Sequence, residues 1–213
     1  MDKIKEIPRI PQVSMELMRI AFQDEPDIQK IASIVEKDPS LATRLFKTVN
    51  SAAFGLKVEV TSISQVISII GLNALKSTVV TLALGEYFIS SSLGRVINPK
   101  EFCTHSLATA VIMQKTAESL KISEASRLYL IGLLHDLGTI ALDSLEKPSY
   151  EKVLVGMAGG KTQCDAERDV FGHDSREIWD TVAEAWEFPS EIIELLGRSL
   201  HFGSNEITTK QLL

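Results

Sequence analysis

Residues 124–145 read EASRLYLIGLLHDLGTIALDSL, a run dominated by Leu, Ile, Ala and Gly in which charges are sparse. Leu128, Leu130, Ile131, Leu133, Leu134 and Leu137 are too continuous for a single amphipathic stripe. The run is also far longer than an ordinary strand, so it predicts one central, buried helix begun at Ser123. Into this apolar helix the chain places His135 beside Asp136. A buried ionised carboxylate is costly unless it is paired, hydrogen-bonded or bound to a metal. Two explanations are open: ligation of a metal, or ordinary buried hydrogen bonding, with Asp136 capping a neighbouring helix and His135 donating to a carbonyl. Adjacent helical residues point about 100° apart, so both reach one ion only if it lies off the ridge between them. His105, from the preceding helix, is placed to approach from the side, and Gly138 leaves room for another helix to come close.

Outward from this helix the same period recurs. Apolar residues at helical spacing predict helices over 13–22, 27–35, 39–49 (opened by Asp38-Pro39), 63–70 (opened by Thr61 or Ser62 and stopped by Gly71) and 73–89. Residues 54–62, with Gly55 and the β-branched Val58, Val60 and Thr61, read as a loop with at most a brief extended piece. Ser90-Ser91-Ser92, Gly94 and Asn98-Pro99 form the clearest break in composition. Asn98-Pro99-Lys100-Glu101 then combines a cap, a proline at the first helical position and a Glu two residues on, which starts a helix running to about Leu120. Further helices are expected at 148–160, ended by Gly159-Gly160, at 163–171, at 174–187 with Asp174 and Glu177 as a capping box, and at 189–200. The expectation is an all-α, multi-helix fold, one domain over residues 1–213, in two helical lobes of about 1–92 and 93–213.

The chain has 213 residues, 45% of them apolar and 6% aromatic, which suits helix-on-helix packing. A net charge of −6 with no basic stretch argues against a nucleic-acid binder that works by neutralising phosphates. Cys103 and Cys164, far apart and in no ligand pattern, read as reduced structural thiols of a cytoplasmic protein. The first residues carry both signs of charge and lack a signal-peptide core. Runs such as Val79–Leu84 are too short to span a bilayer, so no membrane association is expected.

Four motifs, in order and at consistent spacing, give a family resemblance over nearly the whole chain. They are Asp38-Pro39-Ser40-Leu41-Ala42 through Asn50-Ser51-Ala52-Ala53-Phe54-Gly55; Ile63-Ser64-Gln65-Val66-Ile67 with Leu72; Gly132-Leu133-Leu134-His135-Asp136-Leu137-Gly138; and Glu167 to Phe171-Gly172 followed by Trp186-Glu187-Phe188-Pro189. Together they resemble the HDOD family, helical relatives of the HD-type metal phosphohydrolases that act as regulatory modules in bacterial signalling. Family members are often joined to receiver or cyclic-dinucleotide domains. The resemblance implies that His105 matches the first His of catalytic HD enzymes and that His135-Asp136 match the pair.

The agreement then breaks. Counting back from Trp186, the family's next His position falls on Ser175, with His173 two residues early. Counting on from Pro189, a His-His pair would fall at Ser199-Leu200, with His201 one place late. Thr139 stands where HD-GYP relatives carry Lys, and no distal Asp follows before Leu213. The Gln211-Leu212-Leu213 end, with apolar residues last, suits a longer natural chain.

The resemblance with its broken ligand series implies a non-catalytic signal-transduction module that acts through a protein partner or a fused signalling domain. In that reading no cofactor is bound. The alternative is a metal-dependent phosphohydrolase of a nucleotide or cyclic dinucleotide, with Fe, Mn or Zn on His105, His135 and Asp136 as residual ligands. Elsewhere, Trp179 and Trp186 are expected in the core, Asn50-Ser51 at a helix end, and Arg44 with Lys47 on a solvated face.

Overall fold

A computed structural model describes residues 10–23, 26–90, 96–123, 125–145 and 147–201. Among these every regular element is helical: α1 (Gln12–Phe22), α2 (Ile28–Lys37), α3 (Pro39–Val49), a single 3-10 turn (Ala52–Phe54), α4 (Ile63–Ile70), α5 (Leu72–Ser90), α6 (Pro99–Ser119), α7 (Ala125–Leu134), α8 (Leu137–Leu145), α9 (Lys147–Ala158), α10 (Gln163–Phe171), α11 (Trp179–Ala185) and α12 (Ser190–His201). By its contacts the chain divides into two units. One holds Ile10–Ser90 with Ile112–Leu130, the other residues 96–111 with 131–201 among those described. The second half of α6 and the start of α7 therefore belong with the earlier residues.

In the first unit α1, α3 and α4 all pack on α5, whose Leu75, Val79, Val80 and Leu84 are buried. The start signals work as the chemistry predicts. Asp27 and Asp38 accept the backbone N–H of Lys30 and Leu41 and so cap α2 and α3. Ser62 opens α4 through a full capping box with Gln65. Gly71, at φ +81°, ends α4, and its carbonyl accepts the Leu75 N–H at the start of α5. The two helices meet there at 119°, a one-residue corner that only glycine takes without strain.

Two readings of single residues change. Arg44 does more than line a solvated face: its guanidinium donates to the Leu82 carbonyl at 3.1 Å and pairs with Glu86, tying α3 to α5. Its long side chain bridges a gap that the i, i+3 spacing with Lys47 does not reveal. Asn50 does more than end α3. Its side chain donates to the Val60 carbonyl and accepts the Val60 N–H, both at 2.8 Å, which closes the loop of residues 51–60. That loop contains the 3-10 turn and Gly55 in the left-handed region, and no strand. A further tie brings α7 to α5. The Thr81 hydroxyl donates to the Ser77 carbonyl, so the Tyr129 hydroxyl, 2.8 Å away, is the donor to Thr81.

In the second unit α8 packs on α9 and α11, α9 on α10, and α11 on α12. Every residue from Leu137 to Asp143 is buried, as expected for the most apolar run. That run is two helices and not one: α7 stops at Leu134 and α8 starts at Leu137, with His135 and Asp136 at the break. The backbone is still long and apolar enough over Ala125–Leu145 to cross a membrane by length and composition, which the shorter runs considered in the sequence did not suggest. However, 72% of its most apolar window is buried within the fold. The segment 174–187 is likewise shorter as a helix. Residues 175–178 are turns and α11 begins at Trp179. Trp179 and Trp186 are both in the core.

Replacing Asn50 by Ala would leave a nearly buried Val60 N–H and carbonyl without their partner. The expected cost is about 2 kcal/mol, read as a lower urea midpoint with an unchanged slope.

Candidate metal or proton centre

The break between α7 and α8 sets the site. Once the helix stops at Leu134, the His135 ring turns back so that Nδ1 lies 2.8 Å from the Gly132 carbonyl. With Nδ1–H donating there, Nε2 faces outward. It meets Asp136 Oδ2 at 3.1 Å and His105 Nε2 at 3.3 Å, while His105 Nε2 lies 3.0 Å from the same Asp136 oxygen. Three ligand atoms from α6 and the α7–α8 corner thus form a small triangle. They are the one group of three or more potential metal-binding side chains among the described residues. The triangle opens to solvent on the His105 side, which is 58% exposed against 24% for His135.

This triangle is electron-rich. Two imidazole nitrogens and a carboxylate oxygen can sit this close only if a proton or a metal cation lies among them. The proton's effect is visible at both titrating partners. Burial, the largest influence on His135, acts downward. The hydrogen bond and charge of Asp136, with the Gly132 carbonyl, outweigh it and hold the imidazole above its ordinary value. Burial likewise pulls Asp136 upward. Its hydrogen bond to His135 and the charges of both histidines outweigh that and hold the carboxyl below the usual range. A metal also fits the donor set. Ligands about 2.1 Å from one ion and about 90–105° apart stand about 3.0–3.3 Å from each other, which is the spacing found. Imidazole and carboxylate suit Fe, Mn or Zn, and the Gly132 carbonyl is the outer partner that fixes the His135 tautomer.

His173 does not join the set. His173 is exposed, and its Nδ1 faces Glu177 Oε2 at 3.9 Å. His201 closes α12, but its side chain lies outside the described residues. Ser175 is the residue brought up to the corner. A Cβ on Gly138 would lie 2.0 Å from the Ser175 carbonyl oxygen, so the backbone of residue 175 rests directly on α8. Gly138 does admit a close approach, of a turn and not of a helix.

Glu167, hardly marked in the sequence, holds that turn. It is wholly buried. One carboxylate oxygen accepts the Ser175 N–H at 2.8 Å, and the other accepts from the Tyr150 hydroxyl at 3.1 Å and the Gln163 amide at 2.9 Å. Gln163 also donates to Thr139, so the position where HD-GYP relatives carry Lys serves a neutral hydrogen bond. Burial first, then the charge and hydrogen bond of Glu167, push the Tyr150 phenol far above its ordinary value, which keeps it a donor.

Asp174 fastens the turn from its other side. Its Oδ1 accepts the Arg176 and Glu177 N–H groups, both at 2.9 Å. Its Oδ2 pairs with Arg168 at 2.6 Å and Arg176 at 3.1 Å. Glu177 returns the bond by accepting the Asp174 N–H, so the capping box expected here forms, on a turn ahead of α11. Burial raises the Asp174 carboxyl, but these hydrogen bonds and the two guanidinium charges together hold it below its ordinary value.

Two outcomes follow from this packing. Gly138→Ala drives a methyl into the Ser175 backbone, an overpacking that costs about 3 kcal/mol and lowers the melting temperature by roughly 6–12 °C. Asp174 contributes stability that is complete above its unfolded pKa of about 3.9 and is lost as pH falls through the lower folded value. Asp174→Asn therefore costs about 2–3 kcal/mol at pH 7, and urea titrations at pH 7 and pH 3 show the gap from the parent narrowing in acid.

The profile of the HDOD domain matches residues 7–201. Solved structures with the same fold include an HDOD domain protein of unknown function from Geobacter sulfurreducens, 20% identical with a TM-score of 0.81 over 97% of this chain and 71% of that one. A protein from Shewanella amazonensis SB2B described as a candidate phosphohydrolase is 21% identical with a TM-score of 0.76, covering 96% and 72%. A candidate signal-transduction protein from Marinobacter aquaeolei VT8 is 18% identical with a TM-score of 0.73, covering 97% and 47%. An uncharacterised protein of Treponema pallidum is 25% identical over 92% of this chain and 38% of its own length. The YuxH protein of Bacillus subtilis, also uncharacterised, is 22% identical over 79% and 42%. The chain thus spans less than half the length of the curated relatives it matches. With its helical order, its four motifs and its His-Asp corner all in place, the chain belongs to the HDOD domain family.

Proposed function

We propose that this chain is a non-catalytic signalling module that acts through contacts with a protein partner or with another domain of the same polypeptide, in a bacterial cytoplasm. The observation that carries the reading is a ligand set that, among the described residues, ends at three side chains. Ser175 occupies the corner where the catalytic relatives' next His is expected, and its hydroxyl is a poor ligand for a borderline divalent ion. His173 turns to Glu177, and Thr139 hydrogen-bonds Gln163 in place of a cation that would receive a phosphate. Activating a water needs a fixed ligand count together with an open position; two imidazoles and a carboxylate can supply that for one ion, so the reading rests on the departures at Ser175, His173 and Thr139, which add no further ligand and no cation among the described residues. Two free cysteines suit a reducing compartment.

A second reading, a metal-dependent phosphohydrolase of a nucleotide or cyclic dinucleotide, is favoured by one observation: the 3.0–3.3 Å triangle of His105, His135 and Asp136 has the edge lengths of a ligand face. In that reading the two imidazoles and the carboxylate would hold the ion, which would supply an acidified water when bound, and the Gly132 carbonyl would keep His135 in the ligating tautomer.

The two are separated by assaying cyclic dinucleotides and a chromogenic phosphodiester with Mn2+, alongside elemental analysis of protein purified without chelator. The module reading predicts no saturable turnover in the parent, His135→Ala or Asp136→Ala. Saturable, metal-dependent hydrolysis abolished in both variants contradicts it. A metal content near zero in the parent removes the enzyme reading.

A further inference from the structure

The apolar run of α8 carries a second carboxylate, Asp143, which is wholly buried. One of its oxygens accepts the backbone N–H of Val96 at 3.0 Å and the other that of Ile97 at 3.3 Å. These residues lead directly into Asn98, whose side chain accepts the Lys100 N–H at 2.9 Å and caps α6. His105 lies seven residues beyond Asn98, and Asp143 lies seven residues beyond Asp136. On a helix that interval is about two turns, or about 10.5 Å, and it returns to within about 20° of the same face. Asp136 meets His105, while Asp143 meets the entrance to α6. The two helices therefore run antiparallel, joined at two places, with seven residues between them on one helix and eight or nine on the other.

We propose that Asp143 is a positioning residue for the His105–His135–Asp136 centre: by gripping residues 96–97 it fixes α6 along its axis and so holds His105 against the other two donors. The inference rests on the three-donor grouping behind both readings above, not on which of them is right. His135 and Asp136 are neighbours at one corner and need no outside help to meet. His105 comes from another helix, and a slip of one residue along α6 would carry it 1.5 Å and turn it 100°, out of hydrogen-bond and ligand distance. A carboxylate is suited to the task because its two oxygens take two consecutive N–H groups, which fixes direction as well as distance. Replacing it leaves one or both of those half-buried donors without this acceptor.

The test is a nuclear Overhauser effect between the His105 and His135 rings, whose centroids are 5.2 Å apart, in isotope-labelled protein held in chelator. Asp143→Ala removes both acceptors. Asp143→Asn keeps the shape but sets an amide N–H2 against one of the backbone donors. Val153→Ala, a buried truncation on α9, controls for lost stability alone. The expected result is a cross-peak at least about fivefold weaker in both Asp143 variants and unchanged in Val153→Ala, because Asp143 ties the entrance of α6 to α8. Parent intensity in folded Asp143→Asn, or an equal loss in Val153→Ala, overturns the proposal. If Asp143→Ala does not fold, the Asn variant decides. Cobalt titration supplies a second arm: Kd rises about 10- to 100-fold in the Asp143 variants, with no further rise when His105→Ala is added. A parent that binds no cobalt contradicts the metal reading and leaves the cross-peak to decide the positioning role.

Discussion

The second unit is organised around a contact in which one backbone rests on another. Gly138 has no side chain, and the carbonyl of Ser175 occupies the space that a Cβ would fill. Two carboxylates hold residue 175 there. Glu167 takes its N–H, and Asp174 gathers the next two N–H groups and two guanidinium groups. Neither carboxylate could be buried without these partners, and the turn would not keep its shape without the carboxylates. The N-terminal end of α8 is thereby pinned, and with it the corner that carries His135 and Asp136.

The site inherits its character from that arrangement. A helix that ran straight through residues 124–145 would point His135 and Asp136 about 100° apart. The break lets one imidazole nitrogen take the Gly132 carbonyl while the other joins Asp136 and His105. The result is a compact acceptor for positive charge, a proton or a divalent ion.

Much of this was legible in the sequence where a local rule governs. Asp38-Pro39, Asn98-Pro99-Lys100-Glu101 and the Asp174–Glu177 box announce helix starts through side chains that satisfy neighbouring N–H groups, and each does so in the structure. His105, His135 and Asp136 could be named because a His-Asp pair in an apolar run demands an explanation. Contacts between distant residues were harder to read. Nothing in the i, i+3 spacing of Arg44 and Lys47 indicates that Arg44 reaches α5, and the clamp of Asn50 on Val60 depends on how a loop closes. The break at residue 135 has no glycine or proline to mark it. Asp143 was missed although the signal was present: it is a carboxylate in the same apolar run, and the question put to Asp136 applied equally to it. Glu167 sits in a largely polar helix, where no local pattern sets it apart as buried.

The account stands on the number of protein donors at the α7–α8 corner. Anomalous diffraction at the manganese edge, from crystals soaked in Mn2+, counts them directly. The account predicts either no ordered ion or one held by at most three side chains, those of His105, His135 and Asp136. An ion ringed by four or more protein ligands, with His173 or His201 among them, would contradict it.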